Sequence, residues 1–465
     1  MTKRTITIIS ALAVVILLIG GYFGAQAWVK AHPAISPWDW SDLPESPRLT
    51  EFDSSKLNRI ENIGEGFALQ KNANVWELVS ANVPAGKIKI DQTLVSNKIW
   101  SLSSLWAESL IEEYPEDLSI YGLDHPFAHI LIGDSDGKAV EIIFGNFTPS
   151  RSSYYVMLAE SPAVYTLATY YSDTLLFSID SVRNKDLFES LDPRAISHFI
   201  LQPRLDDNPS GRTIDITPRK EDSYMLNSYT SFDLNSPYST KLAVDSEKFG
   251  QVLEALAYLE IYEYIDDSPS SLAPYGLDRP GRVYIETPEE TLDIFYGKSE
   301  FGMHYAKVAG NDSVFTLGGL ENIINVAPFS LMDKFAMIHY IDHVDSFTVT
   351  GDGRTLTATI QGKGEDAIFY LNGRKTEDQA FRVFYQRVIG LLIDAEHSGP
   401  VTRGEGTDYI IEYKLNTPAV TIGIRLIPYN RDFYILEREG ATEFRIARTQ
   451  VRRIFEEADK MVYAE

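Results

Sequence analysis

Tyr121-Gly122-Leu123-Asp124-His125-Pro126 returns almost unchanged as Tyr275-Gly276-Leu277-Asp278-Arg279-Pro280, the second tyrosine lying 154 residues beyond the first. A second pair of segments keeps the same interval: Asp91 opens DQTLVSNKIWSLSSLW and Asp245 opens DSEKFGQVLEALAYLEI. Both read as helices with an aspartate N-cap. Their apolar positions are Leu94, Ile99, Leu102 and Leu105 in the first and Phe249, Val252, Leu256 and Leu259 in the second. Two unrelated markers at one interval identify an internal duplication.

A third, diverged copy follows from a pattern of hairpins. Tyr155 and Tyr165 lie in YYVML and VYTLA around a Ser-Pro turn. Tyr305 and Phe315 keep the ten-residue spacing around Gly310-Asn311-Asp312, and Tyr434 and Phe444 keep it around Glu439-Gly440. Alternating aromatic and aliphatic residues flanking a turn predict a β-hairpin in each case. Each is followed by a helix-like stretch ending near Phe177, Ile324 and Ala458. HILIGDSDGKAVEIIFG and RVYIETPEETLDIFYG add a middle hairpin, and strands carrying Trp76, Tyr224 and Phe369 open the three units. The third unit has the helix, from Asp378, but not the Tyr-Gly-Leu-Asp turn. Antiparallel strands with helices set between them predict an α+β fold, in three related units at 57–195, 196–340 and 341–465.

Ahead of the repeats, no charge falls between Arg4 and Lys30, and Thr5 to Val29 reads TITIISALAVVILLIGGYFGAQAWV. As a helix it would extend roughly 37 Å, more than a bilayer core requires. Tyr22 and Trp28 stand where interfacial aromatics are expected, and Lys3 and Arg4 place the short N-terminus in the cytoplasm. Residues 1–30 therefore predict a single-pass cell-membrane anchor. Residues 31–56 predict a linker carrying Pro33, Pro37, Trp38, Trp40, Pro44 and Pro47, and all that follows is expected outside the cytoplasm. The competing reading is a cleaved signal peptide, since Ala25-Gln26-Ala27 fits the cleavage pattern. Both readings export the chain.

Composition narrows the partners. The 465 residues hold 66 Asp+Glu against 42 Lys+Arg, which argues against nucleic acid and against anionic lipid headgroups. There is no cysteine, so disulfides and thiol catalysis are excluded. Apolar content of 44% is ample for a packed core.

The anchor, the Trp76-Glu77-Leu78 strand, the Tyr-Gly-Leu-Asp-x-Pro turn and the hairpin ending Val164-Tyr165-Thr166-Leu167 together resemble the domain of unknown function 4340 family, DUF4340. The resemblance covers nearly the whole region after the linker, least well in the third unit. It implies a bacterial, membrane-anchored protein of the kind often encoded beside ABC-type transporters, and so a permease or other envelope protein as partner. It brings no catalytic residues.

Candidate chemistry is sparse. Asp124 and Asp278 are expected to serve the turn, bonding nearby backbone N–H groups. Asp134-Ser135-Asp136-Gly137 starts like a calcium loop but lacks the later acidic ligands, and it falls between two alternating runs where Asp-Gly makes a hairpin turn. Gly351-Asp352-Gly353-Arg354 reads the same way. His339 and His343, with Asp342 and Asp345, have the spacing of two helical metal ligands, but the segment aligns with the strand start at Ile196-Ser197-His198-Phe199. No nucleophile elbow, phosphate loop or dinucleotide fingerprint is present. The expectation is no catalytic, cofactor-binding or metal residues and no cofactor. The chain reads as a non-enzymatic, membrane-tethered extracytoplasmic scaffold or accessory subunit of an ABC-type transporter or envelope complex. The alternatives are an extracytoplasmic glycan or cell-wall ligand-binding protein and a hydrolase with an unrecognised site.

Overall fold

The computed structural model describes residues 46–80, 88–188, 192, 195–219 and 230–463. The expected anchor, most of the linker and Tyr224 lie outside the described residues. Among the described residues no helix is long and apolar enough to cross a membrane. The chain divides into two compact units, one ending at Asn184 and the other beginning at Lys185.

The first unit holds β1 (Leu57–Asn62), β2 (Phe67–Asn72), β3 (Val75–Ser80), β4 (Ser109–Glu112), β5 (Ala128–Asp134), β6 (Ala139–Phe147), β7 (Ser153–Leu158) and β8 (Val164–Ala168). They form one sheet in the order β3-β2-β1-β5-β6-β7-β8-β4. Helix α1 (Gln92–Ser103) joins β3 to β4, connecting opposite edges of that sheet, and α2 (Thr169–Leu175) follows β8. Asp91 caps α1 by accepting from the Leu94 N–H at 2.9 Å.

The second unit carries two further sheets. In the first of these run β9 (His198–Gln202), β10 (Ile214–Pro218), β11 (Phe232–Ser236), β12 (Leu242–Ala243), β13 (Ile261–Asp266), β14 (Gly281–Glu286), β15 (Thr291–Glu300), β16 (Met303–Val308) and β17 (Val314–Leu317). With them are α3 (Ser246–Ala257), capped by Asp245, and the one-turn helices α4 (Glu321–Ile324) and α5 (Pro328–Leu331). The last sheet has β18 (Val344–Gly351), β19 (Arg354–Gln361), β20 (Ile368–Leu371), β21 (Arg374–Lys375), β22 (Ala395–Glu396), β23 (Tyr409–Leu415), β24 (Thr421–Pro428), β25 (Phe433–Arg438) and β26 (Ala441–Ala447). Helix α6 (Asp378–Ile389) crosses from β21 to β22, and α7 (Arg448–Tyr463) closes the chain.

The orders β12-β11-β10-β9-β14-β15-β16-β17-β13 and β21-β20-β19-β18-β23-β24-β25-β26-β22 are the same path, and the first sheet follows it with one edge strand fewer. In every copy an opening meander runs outward to one edge. A helix then carries the chain to the opposite edge strand, and a second meander starts beside the first strand and runs out to meet it. All pairings are antiparallel, as the hairpin patterns predict. The expected ten-residue hairpins are the last pair of each sheet: Val156 faces Tyr165, Ala306 faces Phe315 and Leu436 faces Phe444. The fold is α+β, sheet-rich, with repeated units.

One face of each sheet is buried. Along β23 the burial alternates, with Tyr409, Ile411, Tyr413 and Leu415 inward, and along β3 Trp76 and Leu78 point in. Val95, Ile99 and Leu102 of α1 belong to the core of the first sheet; Phe381, Phe384 and Val388 of α6 belong to that of the third. Burying each such side chain contributes about 1.5–3 kcal/mol. The second and third sheets share one continuous apolar core.

Candidate functional site

The repeated turn is built the same way twice. A single 3-10 turn, Leu118–Tyr121 or Ala273–Tyr275, ends on a left-handed glycine, Gly122 at φ 68° or Gly276 at φ 69°. The next residue, Leu123 or Leu277, is buried and returns its N–H to the carbonyl of Leu118 or Leu272 at 3.1 Å. The tyrosine ring packs on a hairpin tyrosine, Tyr121 on Tyr155 at 5.0 Å and Tyr275 on Tyr305 at 5.2 Å. Its hydroxyl donates to an edge-strand carboxylate, Glu112 or Asp266. Asp124 is exposed and its carboxylate lies 3.0 Å from the His125 ring, not on the backbone N–H groups expected from the sequence.

Beside the second turn the copies diverge. In the first sheet Phe147 faces Tyr154 across β6 and β7, and the two rings stack at 4.0 Å. In the second sheet the same register position pairs Ser299 with His304. With serine in place of the phenylalanine, a cavity of about 380 Å³ lies there, lined by Arg204, Tyr296, Lys298, Ser299, His304 and Glu321 among others. His304 is 6% exposed. Its Nδ1 stands 3.3 Å from the Gly297 carbonyl, a contact that only a protonated Nδ1 satisfies, and its Nε2 is 3.8 Å from Glu321. Burial raises the Tyr296 hydroxyl above the usual tyrosine range, so it stays protonated; it accepts from the Arg204 N–H at 3.1 Å. Arg204 is held by Asp207 at 2.6 Å and Asp206 at 3.0 Å, and its Nε reaches the Gly276 carbonyl.

Two further hollows adjoin this one. The next, about 260 Å³, shares Pro203, Asn208, Ile324 and Asn325 with it and continues to Arg212. The third, about 700 Å³, shares Asn325, Val326 and Ala327 and lies between α3 and the segment holding α4 and α5. Asn325 lines all three.

A polar cluster joins the second and third sheets. Glu396 of β22 receives Arg212 at 2.5 Å and the Tyr238 hydroxyl at 2.6 Å, and Glu443 receives the N–H and hydroxyl of Ser239. Burial pushes Glu396 upward, but the hydrogen bonds from Tyr238 and Arg212 outweigh it and hold the carboxylate low. Lys334 donates to the Phe329 carbonyl over the Phe329 ring, and burial lowers it to about 8. The segment between the two sheets is itself stitched to both: Val244 bridges Met332 and Phe335 bridges Leu392.

The residues singled out in the sequence fall elsewhere. Asp134 is the hairpin turn between β5 and β6, accepting from the N–H groups of Asp136 and Lys138, while Asp136 pairs with Lys56 at 2.6 Å. Asp352 and Gly353, at φ 50° and 71°, turn β18 into β19, and the Asp352 carboxylate accepts from Thr407 and Tyr409. His339 is buried with its ring 5.3 Å from Tyr413, whereas Asp342 and Asp345 accept from the Gly364 N–H and the Asn416 amide. Among the described residues no three His, Cys, Asp or Glu side chains are grouped as metal ligands. The cavity around His304 was not among the sequence candidates; aligning the copies residue by residue, Phe147 with Ser299 and Tyr154 with His304, is the signal that finds it.

The molecule is thus a repeat protein of open antiparallel sheets, each crossed by one helix, with a polar cavity in the middle copy. Residues 76–280, from Trp76 on β3 to the proline closing the second repeated turn, match the family described as Domain of unknown function (DUF4340). No curated protein and no solved structure matches the chain.

Proposed function

We propose that the chain is a non-enzymatic scaffold or accessory subunit, tethered to the membrane by Thr5–Val29 and working outside the cytoplasm in an ABC-type transporter or other envelope complex. The observation that carries this reading is the architecture: one sheet path used three times, with its second and third copies fused through a common core and the Arg212–Glu396–Tyr238 cluster. Such repetition builds surface on a rigid frame. The transporter link rests on the family resemblance. Capture of the full chain in mild detergent, followed by mass spectrometry, tests it: a stoichiometric integral-membrane partner is expected, and recovery of the chain alone would count against it.

A second reading, binding of a glycan or cell-wall fragment, is favoured by the three adjoining hollows of the middle copy. Titration of the purified chain with soluble cell-wall glycan tests that reading, and absence of heat or shift at millimolar ligand argues against it.

A further inference from the structure

We infer that the three hollows form one extended site for a neutral oligosaccharide, with a sugar unit seated at His304 and the chain running past Asn325 towards Tyr258. The inference deepens the glycan reading and rests on it.

The first argument is the internal comparison. At matching register positions of the first and second sheets, a half-exposed stacked Phe147–Tyr154 pair is exchanged for Ser299 and the buried His304. A phenylalanine there would fill the space; a serine leaves it open and polar. The middle copy therefore forgoes a ring-on-ring contact that the first copy keeps.

The second argument is the chemistry of the walls. The cavity offers acceptors at Glu321 and the His304 Nε2 and donors at Lys298 and Ser299. Beyond it, the wall carries the exposed side-chain amides of Asn325, Asn322 and Gln251. An amide donates and accepts at once, as a sugar hydroxyl does. Charge along the walls is mixed: Lys248 and Glu254 line one hollow, Lys298 and Glu321 another, and Lys298 is already paired with Glu300 at 2.7 Å, which suits a neutral ligand better than an anion. At the far end Tyr258 is 81% exposed beside the apolar Val252, Ala255 and Leu331, a platform for the C–H face of a sugar ring.

The test uses the full chain in nanodiscs, titrated calorimetrically with chitotetraose and, separately, cellotetraose. Binding of at least one is expected, weakened at least tenfold in Ser299→Phe, which restores the residue of the first copy, and weakened again in Tyr258→Ala. Asn325→Trp, an exposed position common to all three hollows, should block binding with an unchanged melting temperature and serves if Ser299→Phe does not fold. Binding that is equal in the parent and in these variants would overturn the site while leaving the glycan reading intact. No binding of either sugar at millimolar concentration would overturn both.

Discussion

A Cβ placed on Gly297 would stand 2.0 Å from the carbonyl oxygen of Tyr275, and one on Gly145 would stand 2.3 Å from that of Tyr121. The repeated turn is therefore pressed directly onto the strand that follows it, and glycine in β6 and β15 is the condition for that contact. Gly297→Ala is expected to destabilise by about 1–3 kcal/mol, as overpacking against an unyielding backbone does. The check is the urea midpoint, which falls at unchanged slope. Gly250→Ala is the control: its Cβ meets nothing within 4 Å in the interior of α3, so the change is expected to stabilise by about 0.5–1 kcal/mol.

The helix caps predict a difference between copies. Asp91→Ala and Asp245→Ala each remove a carboxylate that accepts from first-turn N–H groups, at a cost of about 1 kcal/mol. Glu377, at the same place before α6, makes no side-chain cap bond, so Glu377→Ala is expected to lie within about 0.5 kcal/mol of the parent. Thermal unfolding of the three variants separates these outcomes.

Burial lowers His339 from 6.5 to about 4, and its Nε2 has no hydrogen-bond partner among the described residues. The folded form therefore binds its proton less readily than the unfolded form. The contribution to stability is full above pH 6.5 and is lost as pH falls from there through about 4, a change on the order of 3 kcal/mol. Denaturant titrations across that window should show a steeper pH dependence for the parent than for His339→Phe. Equal slopes would remove His339 as the cause.

Glu396→Ala leaves Arg212 and the Tyr238 hydroxyl without their shared acceptor. Because Arg212 and Glu396 are each more than a third exposed, solvent screens the ion pair, and the expected loss is about 1 kcal/mol, mostly from the hydroxyl of the buried Tyr238. Hydrogen exchange should quicken around Tyr238 and Phe444, whose rings pack at 4.9 Å.

Much of this fold is legible in the sequence because its markers are local. Asp91 and Asp245 announce their helices, Asp-Gly announces the β5–β6 turn, and Tyr-Gly-Leu-Asp repeats because Gly122 and Gly276 must adopt positive φ. The edge strands are not legible: β13 alternates weakly, β22 is two residues long, and each is fixed only by pairing with the last strand of its sheet. The cavity is hidden for a similar reason. Ser299 and His304 come together through the register of β15 and β16, and neither residue type is unusual where it stands.

Tethering with the repeats outside the cytoplasm is the claim on which the proposed role depends, and the absence of cysteine makes it directly measurable. A single cysteine at exposed Tyr340, or alternatively at Thr2, is placed in the full chain, and sealed membrane vesicles are treated with an impermeant maleimide. The account predicts that in right-side-out vesicles Tyr340→Cys is labelled and Thr2→Cys is not, with the pattern reversed in inside-out vesicles, and that the chain stays in the membrane after a carbonate wash. Labelling of Tyr340→Cys from the cytoplasmic side, or release of the chain by the wash, would contradict it.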